Sequence, residues 1–373
     1  MKIALIAPVE ETVPPQKYGG IEWIVYELAS GLSKKGHEVD LYASADSHRS
    51  SDYHVIPITP KSLRQHDTFS SDLTLREGAK WLAIAKAIEE VGKKNYDIIH
   101  NHVGWRLLTF SNTLTPPLLT TLHGPLTIPK ENFIFSQKAH LPYISISNNQ
   151  RRDLPELSYL KTIYNAVDTT LFPFKESPDK TSLLFFARMS PEKGVIEAVK
   201  SAIHVKKELL VASKVDEVNK GYYEEFKKIS QDNPLVTDIG EIKVADRQAY
   251  FQNSKALLAP IAWEEPFGLM FIEAMSSGTP VIAYARGAAP EIIKDGETGY
   301  LVNFSDQDKR GDFVIKKSGF EGLCEAIEKL YGLSESEYKQ MRKQARKHVE
   351  ENFSAGLMVD NYEKAYQELL KKH

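Results

Sequence analysis

The chain has 373 residues, 42% hydrophobic and 26% charged, with a formal net charge of −3. Its length exceeds one ordinary domain and predicts two, and the slightly acidic balance excludes nucleic acid as the main partner. A single cysteine, Cys324, excludes an internal disulfide framework and a multi-cysteine metal site.

The opening apolar residues 3–7 read as a buried strand, too short for a secretory segment. A loop over 8–20 follows, with Pro14, Pro15, Gly19 and Gly20. Ile21, Ile24, Val25, Leu28 and Leu32 then recur at helical spacing, and Gly36 ends that helix. Residues 39–43 give the next strand. Further strands are expected over 98–100, 118–122 and 143–146, with helical stretches between. A second series starts with a strand at 183–187 and a helix at 191–203. Strands at 209–212, 257–260 and 281–283 continue it. Such alternation predicts two parallel, doubly wound α/β sheets. The polar, proline-containing stretch 168–180 reads as the linker, giving domains 1–172 and 173–353. Cys324 falls in the apolar pattern Leu323, Ile327, Leu330 and is expected in the core. Tyr362, Ala365, Tyr366, Leu369 and Leu370 form a final amphipathic helix. No apolar run approaches the roughly 20 residues that cross a bilayer. A soluble, cytoplasmic protein is expected, with no sign of membrane association.

The stretch Glu265-Pro266-Phe267-Gly268-Leu269-Met270-Phe271-Ile272-Glu273 is the most informative. Pro266 suits the first turn of a helix, residues 267–276 are expected to be helical, and Gly278 to cap them. Glu265 then precedes the helix and Glu273 lies about two turns inside it, a span of roughly 12 Å. Free N–H groups at Phe267, Gly268 and Leu269 would form an anion site between the two acids. Carboxylates repel phosphate but accept bonds from hydroxyls. The order acid, N–H cluster, acid therefore reads as sugar, diphosphate, ribose. The plainer alternative is an amphipathic helix with acids near its start.

Arg188 ends the first strand of the second series, where open α/β sheets bind ligands. Ser190-Pro191 reads as a cap and first turn, placing Lys193 near the third position of the next helix. A lysine there opposes the helix dipole by roughly 0.3–1 kcal/mol unless an anion is present. Gly19-Gly20 reads either as a turn or as a loop admitting backbone N–H groups to a phosphate. It lacks the G-x-G-x-x-G spacing, which weakens an NAD-dependent dehydrogenase. Asp306-Gln307-Asp308 reads as a solvated loop rather than a metal string, and no metal site is expected. On the acceptor side, the loop 10–18 and the segment His100-Asn101-His102-Val103-Gly104-Trp105-Arg106 are candidates, with His102 as a polar contact or base.

The Glu265 to Glu273 string followed by Gly278-Thr279-Pro280 resembles the E-x7-E signature of family 4 retaining glycosyltransferases, which have the GT-B fold. Ala187-Arg188-Met189-Ser190-Pro191-Glu192-Lys193-Gly194 resembles that family's G-R-x-x-x-x-K-G element, with Ala187 in place of glycine. Thr120-Thr121-Leu122-His123-Gly124 resembles the family's histidine motif. Tyr164-Asn165-Ala166-Val167-Asp168 resembles its N-G-V-D turn, with Ala166 for glycine, which implies an altered turn if the glycine needs positive φ. The resemblance implies two Rossmann-like domains facing a cleft, with the terminal segment 354–373 returning to the first. It implies that Arg188 and Lys193 neutralise a diphosphate, and that His123 meets the donor sugar near the reacting carbon. Glu265 would orient sugar hydroxyls, Glu273 hold the ribose, and Glu241 and Ile242 contact the base through their backbone.

The expected reaction is metal-independent, cofactor-free transfer of a hexosyl group from a nucleotide sugar to an acceptor hydroxyl, with retention. UDP is the default base on family frequency. A nucleotide-sugar 2-epimerase of related fold and a non-catalytic sugar-nucleotide binding subunit are the alternatives.

Overall fold

The computed structural model describes residues 1–16, 19–66, 68–69 and 72–372. Lys17 and Tyr18, the end of the candidate acceptor loop, lie outside the described residues. The chain divides into two compact units, Met1–Ala166 with Ala355–His373, and Val167–Ser354.

The first unit is built on seven parallel strands: β1 (Lys2–Ile6), β2 (Glu38–Ser44), β3 (His54–Thr59), β4 (Ile98–Asn101), β5 (Leu118–Leu122), β6 (Pro142–Ser145) and β7 (Ser158–Thr162). Their order is β3-β2-β1-β4-β5-β6-β7, so the winding reverses between β1 and β4. Loops leaving those two strands diverge and open a crevice at the carboxyl edge. The central strands β1, β4 and β5 are buried nearly throughout, as a sheet covered on both faces requires. Asp72 caps the long helix Leu73–Val91, accepting from the N–H groups of Thr74 at 2.8 Å and Leu75 at 2.9 Å.

The terminal helix Ala355–Leu370 packs in this same unit. Lys35 at the end of helix Gly20–Lys34 bonds Asp360 at 2.6 Å and also Glu363, whose other oxygen meets His37 at 2.8 Å. Burial of Tyr362, Ala365 and Tyr366 puts the helix's apolar stripe into the core.

The second unit repeats the plan with β8 (Leu183–Arg188), β9 (Leu209–Lys214), β10 (Val236–Gly240), β11 (Ala256–Ala259), β12 (Val281–Tyr284) and β13 (Gly299–Val302). All are parallel in the order β10-β9-β8-β11-β12-β13, with the reversal between β8 and β11. Cys324 is buried here, among Leu323, Ile327 and Leu330. Residues 167–172, assigned from the sequence to the first domain, pack in this unit. Arg346 donates to the carbonyls of Thr169 at 3.1 Å and Phe172 at 2.8 Å. Arg342, fully buried, donates to the carbonyls of Lys175, Gln252, Ser254 and Ser277. The stretch read as a linker is thus fastened down by two arginines of helix Glu335–Asn352. Val167 N–H donates to the Phe353 carbonyl at 3.0 Å, so the chain enters and leaves this unit side by side. Ala166 has no positive φ, and among described non-glycine residues only Lys206 does. The alanine therefore fits its turn without strain.

Candidate functional site

Two local expectations change in the second unit. The helix expected at 191–203 begins later: Ser190 precedes a short 3₁₀ turn Pro191–Lys193, Gly194 follows, and the α-helix runs Val195–His204. Gly194 has φ +77°, and a Cβ there would lie 2.1 Å from the Pro260 carbonyl oxygen. The loop after β8 thereby touches the chain leaving β11, and Ala262 N–H donates to the Glu192 carbonyl at 2.9 Å. Lys193 is therefore not the third residue of a helix but the last of the turn before one. Ser190 makes no cap bond; its hydroxyl donates to Glu192 at 2.7 Å.

The second change is at residues 265–273. The helix is Leu269–Ser276, because Gly268 takes φ +89°, which no α-helical residue can adopt. A Cβ at Gly268 would also lie 2.6 Å from the Phe271 ring. Phe267 and Gly268 thus lie outside the helix, and the amides opening it are those of Leu269 and Met270. Phe271 N–H is already bonded to the Gly268 carbonyl at 3.0 Å. Glu273 consequently sits little more than one turn inside. Gly278 ends the helix as expected, with φ +83° and its N–H on the Met275 carbonyl at 2.9 Å.

With these corrections, several of the expected residues converge. Lys193 and Glu265, far apart in sequence, form an ion pair between Nζ and Oε2, with side chains 9% and 12% exposed. Trp263 donates its indole N–H to the same oxygen at 2.9 Å, and its ring lies 4.9 Å from the Lys193 ammonium. Oε1 of Glu265 has no partner among the described residues. The lysine that opposes a helix start is thus compensated by Glu265. Arg188, at the end of β8, keeps its side chain 31% exposed and lies 3.5 Å from Glu192. Glu273 is buried, and its Oε1 accepts from Arg247 at 3.3 Å. Burial pushes the Glu273 carboxyl up, with Arg247 partly opposing. Ile242 is buried after β10, while Glu241 beside it is exposed. The Phe267 ring is core, packed against Phe353, so only its backbone is available to a ligand.

Glu264 organises the loop from behind. Arg310 grips it with two bonds of 2.7 Å, Arg286 lies at 3.2 Å, and Gly287 N–H donates at 2.8 Å. Burial pushes this carboxyl up, but the Arg310 bonds, the Gly287 amide and the two cations outweigh it and hold it at about 2. Asp308 belongs to this cluster, paired to Arg310 at 2.9 Å and Arg286 at 3.2 Å. Half of the Asp306-Gln307-Asp308 string is therefore committed to arginines rather than solvated; Asp306 is exposed as expected. No group of three or more metal-ligating side chains occurs among the described residues. The sequence gives no cue to Arg247, Trp263, Arg286 or Arg310, since each comes from a separate loop or helix.

In the first unit, Gly19 caps helix Gly20–Lys34 at the crevice after β1. Glu22 in its first turn is buried, and desolvation pushes its carboxyl up to about 7. His102 follows β4 and His123 follows β5, and the two rings meet with Nδ1 of His102 2.9 Å from Nε2 of His123. Desolvation lowers His123 to about 3 and His102 well below the usual imidazole range, so both are neutral. They line a cavity of about 240 Å³ with Val9, Ile58, Trp105 and Phe135. Of its charged walls, Lys80 pairs with Glu10 and Arg106 with Glu77 at 2.7 Å, while burial pushes the carboxyl of Glu131 up.

Comparison with known proteins follows the same division. The family "Glycosyltransferase Family 4" matches residues 18–175, and "Glycosyl transferases group 1" matches 167–315. The chain is 25% identical to N-acetyl-alpha-D-glucosaminyl L-malate synthase of Bacillus anthracis, over 95% of each chain. Among solved structures it resembles sucrose-phosphate synthase from Thermosynechococcus elongatus, with a TM-score of 0.79, 19% identity and 100% of both chains covered. It also resembles Anabaena HepE in complex with UDP-glucose, with a TM-score of 0.71, 17% identity and 100% coverage of both. No described helix is long and apolar enough to cross a membrane. With two doubly wound parallel sheets and matching sequences along both units, the chain belongs to the family 4 glycosyltransferases of GT-B fold.

Proposed function

We propose that this glycosyltransferase is a retaining, metal-independent hexosyltransferase using a UDP-sugar and an acceptor hydroxyl. The observation that carries the reading is the Lys193–Glu265 pair at the switch point of the second sheet, with the unpartnered Oε1 of Glu265 beside it. Lys193 and Arg188 would bear the charge of the departing diphosphate, which they can do without a metal because they are preorganised. The amides opening helix Leu269–Ser276 would add to that field. Glu265 would use Oε1 for a sugar hydroxyl while Oε2 keeps Lys193 aimed. Glu273 binds Arg247 through Oε1 alone, leaving Oε2 for a ribose hydroxyl. The backbone at Glu241 and Ile242 would meet the base, and Gly19 and Gly20 a phosphate. His123 would contact the donor sugar near the reacting carbon, and the cavity it shares with His102 would receive the acceptor. HepE was solved with UDP-glucose, which supports UDP as the base.

The test is a thermal-shift screen of UDP, GDP, ADP and TDP sugars, followed by product analysis by NMR with and without EDTA. A UDP-sugar should raise the melting temperature most, and the transferred sugar should keep its anomeric configuration in EDTA. An epimerised sugar formed without acceptor would point to the isomerase instead, and donor binding without any turnover to a binding subunit.

A further inference from the structure

Behind His123 the first unit holds an unbroken run of buried hydrogen-bonding side chains. His102 Nε2 lies 3.2 Å from His100 Nδ1, and that nitrogen also lies 2.7 Å from the Tyr366 hydroxyl. His100 Nε2 reaches the Thr121 hydroxyl at 2.8 Å, which meets the Tyr362 hydroxyl at 3.0 Å. His100, Thr121, Tyr362 and Tyr366 are fully buried and His102 nearly so, while His123 keeps one edge open to the cavity. Among the described residues no carboxylate or cation bonds to any member, and desolvation keeps the imidazoles neutral.

A neutral imidazole carries one N–H and one bare nitrogen, so each contact between two rings holds a single proton. Orientation at one link therefore fixes the next. The Tyr366 hydroxyl has His100 as its one partner among the described residues, and a buried phenol must donate its proton. Donation to Nδ1 leaves the His100 proton on Nε2, where Thr121 accepts it. His102 turns Nε2–H toward the same lone pair as a longer, shared contact at 3.2 Å, because a bare nitrogen there would face it lone pair to lone pair. Its Nδ1 then accepts, and His123 donates from Nε2. The remaining nitrogen of His123, Nδ1, is left bare as an acceptor for a substrate hydroxyl.

We propose that Tyr366 and His100 are positioning residues that set the tautomer of His123 through His102, with Tyr366 on the terminal helix as the origin of the order. The inference rests on the reading of His123 as a donor-sugar contact. It gives the terminal helix a part in the reaction beyond packing.

The experiment uses Tyr366→Phe and His100→Asn in the full chain, with ¹⁵N-histidine spectra assigned through His123→Ala. Wild type should show His123 with a protonated Nε2 and a bare Nδ1, and both variants a mixture of tautomers. Removing one hydrogen bond should lower kcat about two- to tenfold, with the donor KM unchanged within about twofold. Tyr366→Phe is the milder change if His100→Asn folds poorly. A lowered melting temperature with unaltered kcat and an unaltered His123 spectrum would overturn the proposal and leave a structural role. Full activity in His123→Ala would instead remove the sugar-contact reading, and the spectra would still report the tautomer.

Discussion

The two units solve the same problem, holding polar chemistry at a sheet's switch point, by opposite means. In the second unit full charges are kept: Lys193 against Glu265, Arg247 against Glu273, and Arg310 and Arg286 against Glu264. A charge removed from water demands a counter-charge, so breaking one half strands the other. In the first unit His100, His102 and His123 are kept neutral by burial and satisfied by one another and by hydroxyls. Neutral groups need only a partner of the right donor or acceptor sense. A pyrophosphate calls for the first arrangement, while hydroxyl recognition is served by the second.

The sharpest way to break this contrast is at Lys193. Lys193→Ala should lower kcat/KM by about 10²–10³-fold, the range for losing one preorganised stabiliser of developing charge. Glu265→Gln should do similar harm, and the double variant little more than either alone, since the pair acts as a unit. Additive losses in that cycle would show two independent residues. Glu273→Gln should weaken UDP-sugar binding by about ten- to hundredfold, as expected for a hydrogen bond to a charged group. An unchanged dissociation constant by calorimetry would discard its ribose role. Gly268→Ala should destabilise the second unit by about 1–3 kcal/mol through its positive φ, read as a lower denaturant midpoint. An alanine tolerated without loss would mean that the loop has another conformation.

The smallest effect separates the units by pH. Unfolded imidazole takes up a proton near 6.5, whereas folded His123 does so only at about 3. The unfolded chain thus binds more protons between those values, and this share of stability is lost as pH falls through them. Glu264, held at about 2 against an ordinary 4.5, loses its share only between 4.5 and 2. Glu22, raised to about 7, acts with the opposite sign between 4.5 and 7, so each variant is compared with its parent. In calorimetric scans, His123→Asn should flatten the melting-temperature profile from pH 6.5 downward, and Glu264→Gln only below 4.5. Flattening of both profiles in one window would erase the distinction.

What was legible follows the burial of each segment. The strands read from the sequence, β1, β2, β4, β5 and β6, then β8, β9, β11 and β12, all lie inside their sheets. Parallel strands covered on both faces carry continuous apolar runs. The strands without a clear sequence pattern, β3, β7, β10 and β13, are the four sheet edges. β7 and β10 are half-exposed and mixed in composition, whereas β13, buried throughout, departs from that rule. Edges are held by one neighbour and need little pattern of their own.

By itself the sequence determined that two doubly wound sheets form, and it pointed to Arg188, Lys193, Glu265 and Glu273 by their spacing and, through the family resemblance, to His123. Local rules suffice there, because hydrophobic periodicity and motif spacing are properties of contiguous chain. Only the tertiary structure decided where the helices at 195 and 269 begin. Gly194 takes its left-handed conformation against the Pro260 carbonyl of another segment, and Gly268 takes its own against the ring of Phe271 three residues on. It alone decided the partners as well: Glu265 for Lys193, Arg247 for Glu273, and Tyr366 at the end of the histidine chain. Those pairings join residues tens to hundreds of positions apart, and the need to satisfy a buried polar group states that a partner must exist without saying which.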